Sequence, residues 1–108
     1  MIIAVDFDGT LCEDAYPEIG SANFYLILQL KGRQAMGDKL ILWTCRAGDA
    51  LDRAVEWCAH YGLYFDAIND NVPETLAKYG SNSRKITADI YLDDRAEKPW
   101  QELLAEVV

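Results

Sequence analysis

The opening residues constrain the chain most. Ile2-Ile3-Ala4-Val5 is an unbroken apolar run that meets Asp6, Phe7, Asp8, Gly9 and Thr10. A run this short, β-branched at Ile2, Ile3 and Val5, reads as a buried strand of a parallel sheet. Ligands of open α/β sheets bind beyond the carboxyl ends of the strands, which puts Asp6 and Asp8 at the functional edge. Side chains alternate along a strand, so both aspartates point to one side and Phe7 to the other. Gly9 permits a sharp exit. Two carboxylates so close together repel each other, and burying them without a partner is costly. A divalent cation held by oxygen ligands is the simplest remedy. The plainer alternative is a strand-end Asp followed by an Asp-Gly turn.

Asp6-Phe7-Asp8-Gly9-Thr10 resembles the first motif, DxDGT, of the haloacid dehalogenase-like (HAD) hydrolase superfamily. The resemblance implies three further signals in order. They are a Thr or Ser closing a second strand, a Lys or Arg near the third part of the sheet, and paired acids closing a later strand. The fold it implies is α/β: a single three-layer Rossmann-like domain over residues 1–108, with helices on both faces of a parallel sheet. Strands are expected near residues 2–6, 40–44, 64–68 and 88–92. Right-handed crossovers and the resemblance give the order 3-2-1-4, with the first strand interior.

At 108 residues the chain has room for one domain, and 51% of its residues are apolar, enough to build a core. A net charge of −8 argues against non-specific nucleic-acid binding and against an anionic membrane surface. It leaves an anionic substrate open, because a metal and local cations can focus the field in one cleft. Cys12, Cys45 and Cys58 are an odd set without metal-ligand spacing, so free thiols in a reducing cytoplasm are expected. No secretory signal is expected, since Met1 leads into the strand without a basic region. No apolar run approaches the ~20 residues that span a bilayer.

Leu11 to Gly20 reads as a polar loop broken by Pro17 and Gly20. A loop of this length at an active-site edge is usually functional or a lid. The resemblance places a short helical turn and a hairpin flap here, and the second motif arrives too soon for an inserted cap domain. Ser21 is expected to cap a helix over Ala22 to about Met36. Its middle, Phe24 to Leu30, is apolar nearly all round and needs cover on both sides, which a homo-oligomer contact at Tyr25 and Leu26 would supply.

Leu40-Ile41-Leu42-Trp43 is the second strand, closed by Thr44, Cys45 and Arg46. Thr44 stands where the second-motif residue belongs. Arg46 suits a bidentate pair, either with phosphate or with an acidic neighbour. Asp49 is expected to cap an amphipathic helix with Leu51, Ala54, Val55 and Cys58 inward, ending at Gly62. His60, in its last turn, is structural. Leu63 to Ile68 is the third strand, followed by Asn69, Asp70 and Asn71 at the same edge, where turn chemistry competes with substrate contact. Pro73 opens a short helix, Glu74 to Tyr79. Arg84 and Lys85 precede the last strand, and Lys85 fits the third-motif cation better. Ala88 to Leu92 is that strand, closed by Asp93 and Asp94, with Asp89 structural. Pro99 opens a final helix.

The resemblance implies a Mg²⁺-dependent phosphatase acting through an aspartyl-phosphate. Asp6 is then the nucleophile and Asp8 the general acid and base, with Thr44 and Lys85 holding the phosphoryl group. Asp6, the Asp8 backbone carbonyl and Asp93 or Asp94 hold the metal. Gly9, Thr10, Arg46 and Asn69 complete the expected substrate contacts. The substrate class is not legible. A response-regulator receiver uses similar groups, but there the paired acids follow the first strand and the phospho-acceptor closes the third. A non-catalytic binding module on the same scaffold is the other alternative.

Overall fold

The first strand lies inside the sheet, flanked on both sides. The computed structural model describes residues 1–79, 86–93 and 100–105. In chain order the elements are β1 (Ile2–Val5), β2 (Cys12–Ala15), β3 (Glu18–Ala22), α1 (Phe24–Ala35) and β4 (Lys39–Leu42). Then follow α2 (Gly48–His60), β5 (Ala67–Ile68), α3 (Pro73–Tyr79), β6 (Ile90–Leu92) and α4 (Trp100–Ala105). One four-stranded sheet has the order β5-β4-β1-β6, every pairing parallel. Val5 registers with Leu42 on one side and with Leu92 on the other. The chain is thus a small α/β domain built on a parallel sheet.

Alternation divides the sheet residues between its two faces. Ile3, Val5, Leu40, Leu42, Ile90 and Leu92 enter the main core, where Leu26, Ile27 and Leu30 of α1, Ala54 and Cys58 of α2 and Leu104 of α4 meet them. Ala4 and Ile41 point the other way, onto Val72 and the half-buried Ile2, Ala67, Ile86 and Ala88. Each fully buried Leu, Ile or Phe contributes about 1.5–3 kcal/mol, so these two layers are what holds the strand ends in place. Phe7, wholly buried beyond the end of β1, meets the Trp57 ring edge-on at 5.4 Å. No helix among the described residues is long and apolar enough to cross a membrane.

Local expectations differ from the structure at several places, among them the last strand, which begins at Ile90 rather than Ala88. The segment from Leu11 to Gly20, read as a polar loop from its composition, carries most of the antiparallel hairpin β2–β3, where the resemblance implied a hairpin. It lacks an alternating apolar pattern because distant polar groups hold it, as described below. Ser21 does not cap α1, since it is engaged in β3; Asn23 is the cap, and its side chain accepts the Leu26 N–H at 3.3 Å. The same side chain donates to the Thr10 carbonyl at 3.1 Å, tying the helix start to the first turn. Asp49 sits inside the first turn of α2, where its charge suits the helix dipole, and Ala47 holds the cap position. The third strand shrinks to Ala67–Ile68. Upstream of it the Asp66 carboxylate accepts the Leu40 N–H at 2.8 Å, and Gln34 donates to the Tyr64 carbonyl at 2.7 Å. The Asp66 N–H also donates to the Leu40 carbonyl at 2.8 Å, so side chains supplement the backbone pairing at the start of this strand.

α1 buries Leu26, Ile27 and Leu30 and leaves Phe24, Tyr25 and Leu28 exposed. Phe24 is partly covered by an edge-on contact with Tyr61 at 5.5 Å. Asp89 has the structural role expected of it: its carboxylate accepts the Ile2 N–H at 2.7 Å, at the amino end of the sheet.

Candidate functional site

The backbone ladder continues past the assigned strand ends and aligns three of them. Asp6 donates its N–H to the Leu92 carbonyl at 2.9 Å, and Trp43 donates to the Val5 carbonyl at 2.9 Å. Asp6, Thr44 and Asp93 therefore emerge side by side. They line one cavity of about 520 Å³ together with Asp8, Asp14, Tyr16, Cys45 and Arg46. The turn after β1 is wound on one carbonyl: Phe7 accepts N–H groups from Thr10, Leu11 and Cys12, and Gly9 takes a φ of 83° that favours glycine. That winding holds Asp8 at the cavity while Phe7 stays in the core.

Arg46 ties several parts of the site together. It is buried, and a bidentate fork grips Asp8: Nε donates to Oδ2 and Nη2 to Oδ1, both at 2.8 Å. Nη2 also donates to the Glu18 carbonyl at 2.8 Å. Nη1 donates to the carbonyls of Pro17 at 3.2 Å and Ala50 at 3.3 Å. The guanidinium carbon lies over the Phe7 ring at 5.0 Å and over the Tyr16 ring at 5.1 Å. Hydrogen bonding to Asp8 pushes the Arg46 pKa further above its already high ordinary value. A guanidinium has five N–H donors. Here every one has an acceptor, so none remains for a substrate phosphate. Arg46, expected as a substrate contact, instead takes the acidic-neighbour alternative.

The remaining expected residues fall as follows. Thr44 lines the cavity, and its hydroxyl accepts the Arg46 N–H at 3.1 Å. Asn69, expected on the substrate, accepts the Thr44 N–H at 2.8 Å and so acts on the backbone of the site. Asp70 accepts the N–H of Asn71 at 2.8 Å, a local turn contact, whereas the buried Asn71 accepts that of Thr87 at 2.7 Å, a tertiary tie to the segment before β6. Gly9 and Thr10, also expected on the substrate, line a separate hollow with Cys12, Glu13, Ser21, Ala22 and Asn23. The Thr10 hydroxyl is buried. Arg84, Lys85 and Asp94 lie outside the described residues. Asp14 and Tyr16 also line the cavity; they belong to the Leu11–Gly20 segment expected to be functional, although neither residue was singled out within it.

The donor set suits a hard cation. Asp6 and Asp93 bring two carboxylates into one cavity from neighbouring strands. Mg²⁺ needs only one or two carboxylates, because it keeps several waters. Among the described residues no group of three or more His, Cys, Asp or Glu side chains gathers as a metal cluster. The Asp8 carboxylate is taken by Arg46, which leaves Asp8 its backbone carbonyl for such a role. All three cysteines are free thiols. Burial pushes the Cys58 thiol up to about 12 and raises that of Cys12, so both stay protonated at neutral pH.

A parallel sheet with acidic residues past the ends of β1 and β6 and a threonine past the end of β4 defines a class: a small α/β protein with an acidic cavity at the carboxyl edge of its sheet. No protein-family model matches the chain, and no curated protein matches it. A solved structure of a conserved protein from Bacteroides thetaiotaomicron is similar over 100% of this chain and 92% of its own, with 41% identity and a TM-score of 0.84. The chain belongs to the same family as that conserved protein.

Proposed function

We propose that this chain is a Mg²⁺-dependent phosphate monoester hydrolase of the HAD-like type, working through an aspartyl-phosphate on Asp6. In this reading it is a three-layer Rossmann-like domain without a cap. The observation that carries the reading is the convergence of Asp6, Asp8, Thr44 and Asp93 on one cavity. The free thiols suit a reducing cytoplasm.

Asp6 is half-buried beside the end of β6, and its carboxylate would be the nucleophile. One of its oxygens attacks phosphorus as the bond from phosphorus to the leaving oxygen breaks. The electron pair goes to the leaving oxygen, which takes a proton from Asp8. Water then attacks the phosphorus of the aspartyl-phosphate and gives a proton to Asp8. The bond from phosphorus to Asp6 breaks, releasing phosphate and restoring both aspartates. Thr44 offers its hydroxyl to a phosphoryl oxygen, and Lys85 is assigned the balancing positive charge. Mg²⁺, held by Asp6, the Asp8 carbonyl and Asp93 or Asp94, would neutralise phosphate charge that otherwise repels the nucleophile.

The test is release of inorganic phosphate from a panel of sugar phosphates, nucleotides and phosphopeptides, with Mg²⁺ and with a chelator. Metal-dependent release that Asp6→Asn abolishes is the expected result. Silence across the panel, or trapped phosphate on any residue but Asp6, would overturn the reading.

A further inference from the structure

Arg46 connects two parts of the cavity that have different work to do. One is Asp8, assigned to proton transfer. The other is the β2–β3 hairpin, which brings Asp14 and Tyr16 to the cavity wall. The guanidinium fork takes one lone-pair direction from each Asp8 oxygen and so fixes the plane of the carboxylate. A second direction on each oxygen is left for exchanging a proton. The same guanidinium holds the hairpin through the carbonyls of Pro17 and Glu18, beside the turn, and through the ring of Tyr16. The Ala50 carbonyl and the ring of Phe7 anchor it to the body of the domain.

We propose that Arg46 is the positioning residue for Asp8 and that it couples the hairpin to proton transfer. Seating of the leaving group against Asp14 and Tyr16 and its protonation by Asp8 are then one mechanical event. Arg46 does not touch the phosphoryl group in this role. The inference rests on the phosphatase reading above and adds to it a residue that acts through another.

Lys cannot reproduce the role. It is a point charge on a flexible stem and lacks the planar fork that holds two carboxylate oxygens and three carbonyls together. Arg46→Lys therefore keeps the charge and loses the geometry, whereas Arg46→Gln loses both.

The experiment compares 4-nitrophenyl phosphate, whose leaving group needs little protonation, with phenyl phosphate, whose leaving group needs it. In both Arg46 variants kcat on phenyl phosphate should fall by about 10²-fold, toward the range general acid catalysis supplies, and kcat on 4-nitrophenyl phosphate by less than about 10-fold. KM for both esters should rise to a similar extent, because the hairpin that seats their leaving groups is loosened. In an Asp8→Asn background the Arg46 substitutions should add no further loss, because they act through Asp8. Equal loss on both substrates, or full additivity with Asp8→Asn, would overturn the role while leaving the phosphatase reading standing. A wild-type chain inactive on both esters would overturn that reading and the role with it. Should the Arg46 variants fail to fold, hydrogen exchange of the amides in residues 12–22 of Asp8→Asn tests the coupling without touching Arg46. Faster exchange there than in wild type is expected, and unchanged exchange would overturn the coupling.

Discussion

The side-chain oxygen of Asn69 accepts the backbone N–H of Thr44 at 2.8 Å, linking the end of β5 to the residue just past β4. Asn69 has a φ of 50°, a left-handed conformation that Asn tolerates better than most residues. Its contribution thus has two separable parts. Asn69→Gly keeps the backbone at ease, removes the hydrogen bond at a cost of about 0.5–1.5 kcal/mol, and adds the entropy that glycine gives the unfolded chain. Asn69→Ala adds backbone strain and should cost about 1 kcal/mol more. Urea denaturation of the two variants checks the order. In both, turnover should fall with a raised KM as Thr44 loosens.

Asp93 is predicted to be a direct metal ligand. Outer-shell partners of metals are worth about 10–100-fold in affinity, so loss of a direct carboxylate should cost at least that. Mg²⁺ titration calorimetry on Asp93→Asn should show this loss, with the thermal unfolding midpoint in the absence of Mg²⁺ little changed. Undiminished Mg²⁺ affinity would remove Asp93 from the metal site.

Gly20 faces Glu13 across the hairpin, where the strand register shifts. A Cβ there would run into the Glu13 carbonyl, which is backbone and cannot turn aside. Gly20→Ala should destabilise the domain by about 1–3 kcal/mol, as overpacking does. Because the hairpin supplies Asp14 and Tyr16, the same variant should lower turnover even at temperatures where it stays folded. Native stability with full activity would show that the strands part at no cost.

Cys58 carries a pH prediction. Its thiol is wholly buried and its pKa rises from 9.0 to about 12 on folding, chiefly through burial. The folded value lies above the unfolded one, so the protonated thiol favours the folded state below pH 9. That contribution is lost as pH climbs from about 9 to about 12. The loss should approach about 1.4 kcal/mol per pH unit. Cys58→Ala should lower stability at neutral pH through the lost core volume, yet flatten the alkaline fall. Denaturation curves from pH 7 to 11 on both proteins provide the comparison, and parallel curves would refute the assignment.

Apolar runs made the framework of the site legible. Ile2–Val5, Leu40–Leu42 and Ile90–Leu92 each announce a strand by burial alone, and Asp6, Thr44 and Asp93 follow directly after or near them. Burial periodicity is a local property, so a single segment displays it without knowledge of the others. The core cysteine and the inward face of α2 were legible for the same reason.

Polar pairing was decided by tertiary structure. Nothing near Arg46 in the chain points to Asp8, 38 positions away, or to the Pro17 and Glu18 carbonyls, 29 and 28 away. The choice between Ser21 and Asn23 as helix cap depended on where β3 ended, and the start of β5 is held by side chains of Asp66 and Gln34 as well as by backbone pairing. A charged or amide side chain carries no period along the chain, and several acceptors would satisfy it equally well. Which one it meets is settled only when the sheet order brings distant strand ends to the same edge.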